Sequence, residues 1–287
     1  MNIFCESSIV HVVQHKFSLA FLTVKDIRPI EMIRVAAETG YDCVGLRLLP
    51  AGPDGPYSIL KDRSEQRNVV SALSDTGIQV ADAEVVRIGK SFNLEILLPF
   101  FEVCSYLGAK HVLVVGDDPD RTRLIDNYGV FLAQAAEFDL SGDLEFMPWT
   151  AVKTATEGLE IVNAVNSSNA GLLVDALHWD RSDRSIDVLK HIPDSLVNYI
   201  QLCDARRLVN PTTDQLLHTA RSGRLLPGRG DIDLTGMIAA LPKGKVYSVE
   251  VPRDAESIRL SPRQRAEEAL VCAQSVVNSS ARACAVD

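Results

Sequence analysis

Several features of nucleic-acid-binding, secreted and membrane proteins are missing from this sequence of 287 residues. It has no run rich in lysine and arginine, and its formal net charge of −9 argues against a partner whose phosphates need a basic surface. No uninterrupted apolar stretch approaches the ~20 residues of a membrane span. The first residues lack a basic region followed by a long apolar run, so no signal peptide is expected. We therefore expect neither a nucleic-acid partner nor a membrane partner.

Cysteine and histidine patterns that would indicate a thiolate or imidazole metal site are also missing. The six cysteines are scattered, without a Cys-x-x-Cys pair or any other paired spacing. Free thiols in a reducing compartment explain this pattern best, so we expect a cytoplasmic protein. The histidines other than His178 show no spacing typical of a metal site.

What the sequence does contain is a long alternation of strand-like and helix-like segments. Eight strand-like segments are each followed by a segment with helical periodicity, such as the helix predicted over Pro29 to Thr39, which stops at Gly40. Strands that alternate with helices pair in parallel, and eight such units predict a (β/α)8 barrel. The competing open, doubly wound sheet usually has a glycine-rich turn after its first strand, and Thr23 to Arg28 contains no glycine.

The whole chain, 1–287, is expected to form one domain, because α/β barrels reach this length. The barrel core is predicted over about 17–277, with a first strand over Ser18 to Val24. Residues 1–16 form no clear element; a lid and an oligomer arm are both open for them, and the second would imply a homo-oligomer. Residues 279–287 are predicted to be a frayed tail.

Polar side chains end four of the predicted strands: Glu145, Asp175, Gln201 and Glu250. One βα unit needs roughly 30 residues, and the spacing assigns one of these side chains to each of strands five to eight, with a long insertion before the last. The carboxyl ends of barrel strands meet at one end of the barrel, where the active sites of such folds lie. Three carboxylates and an amide oxygen suit Mn²⁺ or Mg²⁺ better than Zn²⁺. The alternative is that each residue separately contacts a helix cap or solvent.

Other side chains near these strand ends are candidates for a substrate pocket. Trp149 and Trp179 follow strands five and six and either line the pocket or cover the barrel mouth. Arg47 and Glu84 end strands two and three, where a pocket role and a structural salt bridge are both open. The imidazole of His178 is able to donate or accept a proton near neutral pH.

Short motifs at these positions resemble the xylose isomerase-like (β/α)8 superfamily of sugar isomerases and epimerases. They are the strand-five glutamate, the Asp-x-x-His of strand six, the Glu250-Val251-Pro252 of strand eight and the loop from Arg224 to Gly230. The resemblance covers about 17–277. It implies that one divalent metal ion is held by Glu145, Asp175, Gln201 and Glu250.

The same resemblance implies roles for neighbouring residues. His178 is expected to contact a substrate oxygen rather than the metal, and Arg206, or Arg207 beside it, to bind substrate after strand seven. Two departures stand out. Gln201 replaces the histidine that is common in ketose epimerases, which leaves Co²⁺ and Zn²⁺ open, and residues 146–151 lack their second glutamate.

The predicted function is a metal-dependent isomerase or epimerase of a small carbohydrate-like substrate. Glu145 and Glu250 are the expected proton carriers, and the metal would stabilise the enediolate. A lyase of the 3-dehydroshikimate dehydratase type is the alternative on the same site, and a barrel that only binds a ligand is a third. The related apurinic endonucleases use several histidines and basic loops, which this acidic chain lacks.

Overall fold

A closed parallel barrel is the centre of the structure. The computed structural model describes residues 15–50 and 58–283. Within them, eight strands pair in chain order, and the last pairs with the first. The strands are β1 (Phe17–Leu19), β2 (Cys43–Arg47), β3 (Gln79–Gly89), β4 (His111–Asp117), β5 (Ser141–Glu145), β6 (Ala170–Asp175), β7 (Tyr199–Leu202) and β8 (Val246–Val249). The predicted (β/α)8 fold is therefore confirmed.

Ten α-helices surround or connect the strands in the described residues. They are α1 (Pro29–Thr39), α2 (Arg63–Thr76), α3 (Leu98–Tyr106), α4 (Arg121–Ala136), α5 (Ala155–Val165), α6 (Ala176–Asp180), α7 (Ile186–Lys190), α8 (Thr213–Ser222), α9 (Leu234–Ala240) and α10 (Pro262–Ala283). Local signals explain the ends of α1, because proline stands at its start and Gly40 adopts a left-handed conformation, with φ of 90°, at its end. No helix in the described part of the chain is long and apolar enough to cross a membrane.

Two apolar clusters hold the barrel together. The larger one lies between the strands and the surrounding helices. The smaller one fills part of the barrel interior with Leu113, Val115, Met147, Leu173 and Tyr199. Side chains alternate between the two faces of a strand. A strand residue whose two sequence neighbours belong to the larger, outer cluster therefore faces the barrel interior. The interior therefore has an apolar part formed by this smaller cluster, and buried polar side chains such as Asp143, Glu145 and Asp175 share it.

Two predicted boundaries differ from the structure. The first strand ends at Leu19, because the Thr23 hydroxyl bonds the Val249 carbonyl at 2.8 Å and the chain turns into a 3₁₀ helix. The predicted tail is wrong at its start, since α10 continues to Ala283 with Ser280 buried within it. Residues 284–287, and 1–14 of the predicted arm, lie outside the described residues.

Candidate metal centre and active site

The carboxyl ends of β5 to β8 bring the four predicted polar side chains to one end of the barrel. Asp175 and Gln201 are register partners on β6 and β7, and the Glu250 amide donates to the Leu202 carbonyl at 3.0 Å. All four side chains, including Glu145 at the end of β5, are buried. Because they are buried, these four side chains are not polar residues that simply face solvent. Buried charges need partners, which the following contacts supply.

Arg224 is the main cationic partner. This arginine lies on the connection between β7 and β8 and is itself buried. Its guanidinium contacts Asp175 Oδ2 at 2.5 Å and Glu250 Oε2 at 2.9 Å, and its Nε donates to the Ala220 carbonyl. Arg224 thus joins two of the predicted metal ligands. The sequence motif containing Arg224 was recognised, but its charge was not assigned to the site; three carboxylates predicted at one buried location were the signal that a cation was required.

His178 lies within the same group. Asp175 caps the N-terminus of α6 by accepting from the His178 backbone N–H at 2.9 Å. The ring Nε2 is then 3.6 Å from Glu145 Oε1 and 3.9 Å from Asp175 Oδ1. One ligand atom from each of Glu145, Asp175 and His178 lies within 4.8 Å of the others. This geometry makes His178 a possible metal ligand, in addition to its predicted contact with substrate.

Among the four site residues, Gln201 is the one whose side-chain polar atoms both lack a hydrogen-bond partner in the described part of the chain. Its side chain is fully buried, and neither its Oε1 nor its Nε2 has a hydrogen-bond partner among the described residues. An amide left unpaired in the interior costs free energy. The amide oxygen and the nearby carboxylates form an oxygen-rich donor set of the kind that binds a hard divalent cation. The residues present therefore fit a divalent metal ion.

The environment separates the pKa values of the acidic groups. Burial, then the charges of Asp175 and Glu250, raises the pKa of Glu145 well above its usual value. Burial also raises the pKa of Glu250, to about 7, although Arg224 opposes the rise. Burial would raise the pKa of Asp175 too, but Arg224 and His178 together lower it. Burial lowers the pKa of His178 to about 4, so its ring is neutral near pH 7.

The remaining predicted pocket residues divide into two groups. Arg47 bonds Glu84 at 2.6 Å and lies over the Phe21 ring, and the Trp149 ring contacts the His178 ring edge-on at 5.0 Å. Trp179 is buried in the outer apolar cluster, and Arg206 is exposed near Asp231. Arg47, Glu84 and Trp149 therefore lie in or next to the candidate site. Trp179 and Arg206 make none of these contacts with the site residues, and their pocket role stays a prediction.

A family model described as "Xylose isomerase-like TIM barrel" matches residues 33–275, which is most of the chain. The chain belongs to the xylose isomerase-like TIM barrel family. The resemblance drawn from Glu145, Asp175, His178 and Glu250 is thereby confirmed at the level of the family.

Proteins similar to this chain include enzymes of more than one reaction class. An inosose isomerase of Bacillus velezensis is 27% identical over 191 residues, which are 62% of this chain and 65% of the relative. A 3-dehydroshikimate dehydratase of Pseudomonas aeruginosa is 28% identical over 53% of this chain and 24% of the relative. The chain thus spans less than two thirds of either relative in these matches.

A solved structure shares the fold over nearly the full chain. The IOLI protein, described with a bound zinc atom, superposes with a TM-score of 0.75 and 21% identity, covering 92% of this chain and 99% of that one. The two chains therefore share the barrel fold.

Proposed function

We propose that this chain is a divalent-metal-dependent isomerase or epimerase of a small sugar or a related polyhydroxy carbonyl compound. The observation that carries the proposal is the pair of buried carboxylates, Glu145 at the end of β5 and Glu250 directly after β8, which lie on nearly opposite sides of the barrel at the carboxyl ends of its strands. The similarity to inosose isomerase supports the same reaction class. Epimerisation requires a proton carrier on each face of the bound substrate, whereas isomerisation requires one carrier that moves the proton between neighbouring carbons.

Glu145, Asp175, Gln201 and Glu250 would hold the metal ion, and the position of His178 makes it a candidate fifth ligand. A divalent ion bound there would polarise the substrate carbonyl and acidify the adjacent C–H bond. Asp175, whose pKa is lowered by Arg224 and His178 despite its burial, stays negatively charged and is therefore suited to cation binding alone. Mn²⁺ or Mg²⁺ is the preferred ion for an oxygen-rich set.

Glu145 and Glu250 would move the proton. One carboxylate removes the proton from the carbon next to the carbonyl, which leaves an enediolate on the substrate, and a carboxylate then returns a proton. Return to the former carbonyl carbon, with a proton moving from the neighbouring hydroxyl to the former carbonyl oxygen, gives isomerisation, whereas return to the opposite face of the same carbon gives epimerisation. Burial raises the pKa of both glutamates, that of Glu250 to about 7, and a carboxyl group with a raised pKa is suited to both taking up and returning a proton.

Arg224 and His178 would position these groups. Arg224 fixes the orientation of Glu250 through the 2.9 Å contact, so this carboxylate does not rotate away from the substrate. The neutral His178 ring would bind a substrate oxygen, since it carries no charge that competes with a cation. Trp149, packed against His178, would cover the apolar face of the substrate.

Solvent hydrogen exchange at the reacting carbon tests this proposal. The Mn²⁺-loaded protein is incubated in D₂O with inososes and with aldose–ketose pairs, and NMR follows deuterium incorporation and product formation. We expect deuterium at the carbon next to the carbonyl of at least one substrate. Neither exchange nor turnover with any of them would contradict an isomerase or epimerase.

A dehydratase is the second candidate, because the chain is similar to a 3-dehydroshikimate dehydratase. The first step would be the same: a carboxylate removes the proton next to the carbonyl. A hydroxyl on the β carbon then takes the electron pair and leaves, after protonation, as water. 3-Dehydroshikimate is assayed in parallel, and growth of an aromatic absorbance, without sugar turnover, would favour the dehydratase.

A further inference from the structure

One side of the barrel interior, below the candidate active site, is lined by small and polar residues. Ser18 on β1 and Ser248 on β8 are register partners, and Gly45 lies on the adjacent β2. Their sequence neighbours belong to the outer apolar cluster, so these three residues face the interior. Asp82 on β3 pairs with Gly45, and a Cβ atom at Gly45 would lie 2.8 Å from Asp82 Oδ1. The Asp82 carboxylate therefore lies over the inner face of β2.

This group of side chains has no hydrogen-bonding partner in the described part of the chain. Both carboxylate oxygens of Asp82 and the hydroxyls of Ser18, Ser248 and Tyr199 are unpaired. None of these four residues is more than 1% exposed. The Tyr199 ring stacks on the His111 ring with 5.7 Å between centroids, and His111 is the register partner of Asp82, so Tyr199 lies on the same side of the barrel as that carboxylate. Five oxygen atoms without partners in one interior region indicate that a ligand satisfies them.

Asp82 differs from the other carboxylates inside the barrel. Each of those has a cation, a histidine or hydrogen-bond donors: Glu84 pairs with Arg47, Asp175 and Glu250 pair with Arg224, Glu145 lies next to His178, and Asp143 accepts from Ser141 and Asn198. Burial, followed by the charges of Glu84 and Glu250, raises the pKa of Asp82, and Arg47, which is paired with Glu84, offsets only part of this rise. Its charge therefore needs a cation beside it or a proton on it.

We propose that Asp82, Ser18, Ser248 and Tyr199 bind a monovalent cation, Na⁺ or K⁺, in the barrel interior. A single carboxylate with neutral hydroxyl oxygens balances one positive charge, and a divalent ion would leave a second charge uncompensated in a buried place. The cation would satisfy the unpaired oxygens and offset repulsion between Asp82 and the catalytic carboxylates. This site is separate from the proposed divalent centre, since it shares no ligand with it.

Thermal unfolding in different salts tests the cation site independently of catalysis. The Mn²⁺-loaded protein is compared in NaCl, KCl and tetramethylammonium chloride at equal ionic strength, because the last cation is too large for the interior. We expect an unfolding temperature about 3 °C higher in Na⁺ or K⁺ when that ion is near tenfold its dissociation constant. Equal unfolding temperatures in all three salts would overturn the proposal and leave the proposed catalytic function unaffected.

Substitutions identify the carboxylate responsible. Asp82→Asn keeps the side-chain size but removes the charge, and it should abolish the salt effect. Asp143→Asn is the matched control, because Asp143 is an equally buried carboxylate whose oxygens already accept hydrogen bonds; it should retain the full effect. If Asp82→Asn retains the salt effect, or if only Asp143→Asn loses the effect, the assignment of the cation site to Asp82 is wrong.

If Asp82→Asn does not fold, the milder variant Ser248→Ala tests the same site. Ser248→Ala removes one neutral oxygen and should raise the cation concentration needed for half of the stabilisation by about tenfold. An unchanged midpoint would contradict the proposal. In crystals grown with Rb⁺, an anomalous peak beside Asp82 is expected, and its absence at saturating Rb⁺ would indicate a protonated Asp82 instead.

Discussion

At the residue scale, one guanidinium gives two neighbouring carboxylates different properties. Arg224 contacts both Asp175 and Glu250, yet the pKa of Asp175 falls while that of Glu250 rises to about 7. Asp175 has the closer contact with Arg224 and also accepts from the His178 amide. Groups whose environments separate their pKa values are suited to separate roles. Asp175 is thus suited to a permanent charge, and Glu250 to proton transfer.

The first prediction concerns the proton carriers. Glu145→Gln and Glu250→Gln should each lower kcat by about 10²–10⁴-fold, because each removes an ionisable group that the amide cannot replace. Steady-state kinetics on the substrate identified by deuterium exchange measures the effect. Glu160→Gln, which removes a surface carboxylate paired with Arg121, is the control and should leave kcat unchanged. Full activity in either test variant would remove that residue from the mechanism.

The second prediction separates two roles for His178. If the imidazole binds substrate, His178→Ala should raise KM or lower kcat by about 10–100-fold while metal occupancy stays near that of the wild type. Elemental analysis of the purified variant gives the occupancy. A variant that loses its metal would show that His178 is a ligand, consistent with its position within 4.8 Å of Glu145 and Asp175.

At the element scale, the connection between β7 and β8 controls where Arg224 lies. The start of this connection is joined to its middle, because Asp204 and Leu225 exchange backbone hydrogen bonds and Asp204 Oδ1 accepts from the Ile232 amide. Gly230 lies against this joint: a Cβ there would be 2.2 Å from Asp204 Oδ1 and 2.5 Å from the Ala205 carbonyl oxygen. Glycine is required at this position because backbone atoms leave no space for a side chain.

The third prediction tests this connection. Gly230→Ala should displace the loop that carries Arg224 and lower kcat/KM by about 10²-fold, since displacements near 1 Å at a catalytic site have that effect. Gly129→Ala is the control, because it lies inside α4 and its Cβ would meet only Val165, at 3.9 Å. The control should retain activity and gain about 0.5–1 kcal/mol of stability. Unchanged kinetics in Gly230→Ala would show that the loop tolerates the displacement.

At the scale of the whole molecule, the closed barrel collects acidic side chains that no linear segment would bring together. Strands β3, β5, β6 and β7, and the residue that follows β8, all contribute buried polar groups to the interior. Arg47 and Arg224 compensate part of this negative charge. The remaining charge destabilises the fold unless cations or protons balance it. Bound metal should therefore stabilise the entire domain, in addition to any role in catalysis.

The fourth prediction follows from this linkage. The purified protein should contain, or bind, about one divalent ion per chain at the Glu145–Asp175–Gln201–Glu250 site, and saturating Mn²⁺ should raise the unfolding temperature by several degrees. A chelator should reverse the shift and abolish turnover. Elemental analysis and calorimetry measure both effects. No metal in the protein and no thermal shift with Mn²⁺ would contradict the proposed centre.

The sequence alone determined the fold class and much of the element order. The bounds of α1 are those predicted, because a proline and a glycine mark its ends through local backbone preferences. The first strand was predicted too long, since the apolar pattern of Phe21 to Val24 does not reveal the hydrogen bond from Thr23 to Val249, 226 residues later. Local signals were sufficient wherever the chain's own dihedral preferences set the structure.

Only the tertiary structure shows how the negative charges of the site are balanced. The polar strand ends were identifiable from the sequence, because a carboxylate after an apolar run is conspicuous. That Arg224 would bridge Asp175 and Glu250 was not, since the contact with Asp175 spans 49 residues and depends on how a long connection folds back over the barrel. Asp82 gave no signal either. Its position over Gly45 follows from the register of β2 and β3, and strand register is fixed only when the barrel closes and buries one face of every strand.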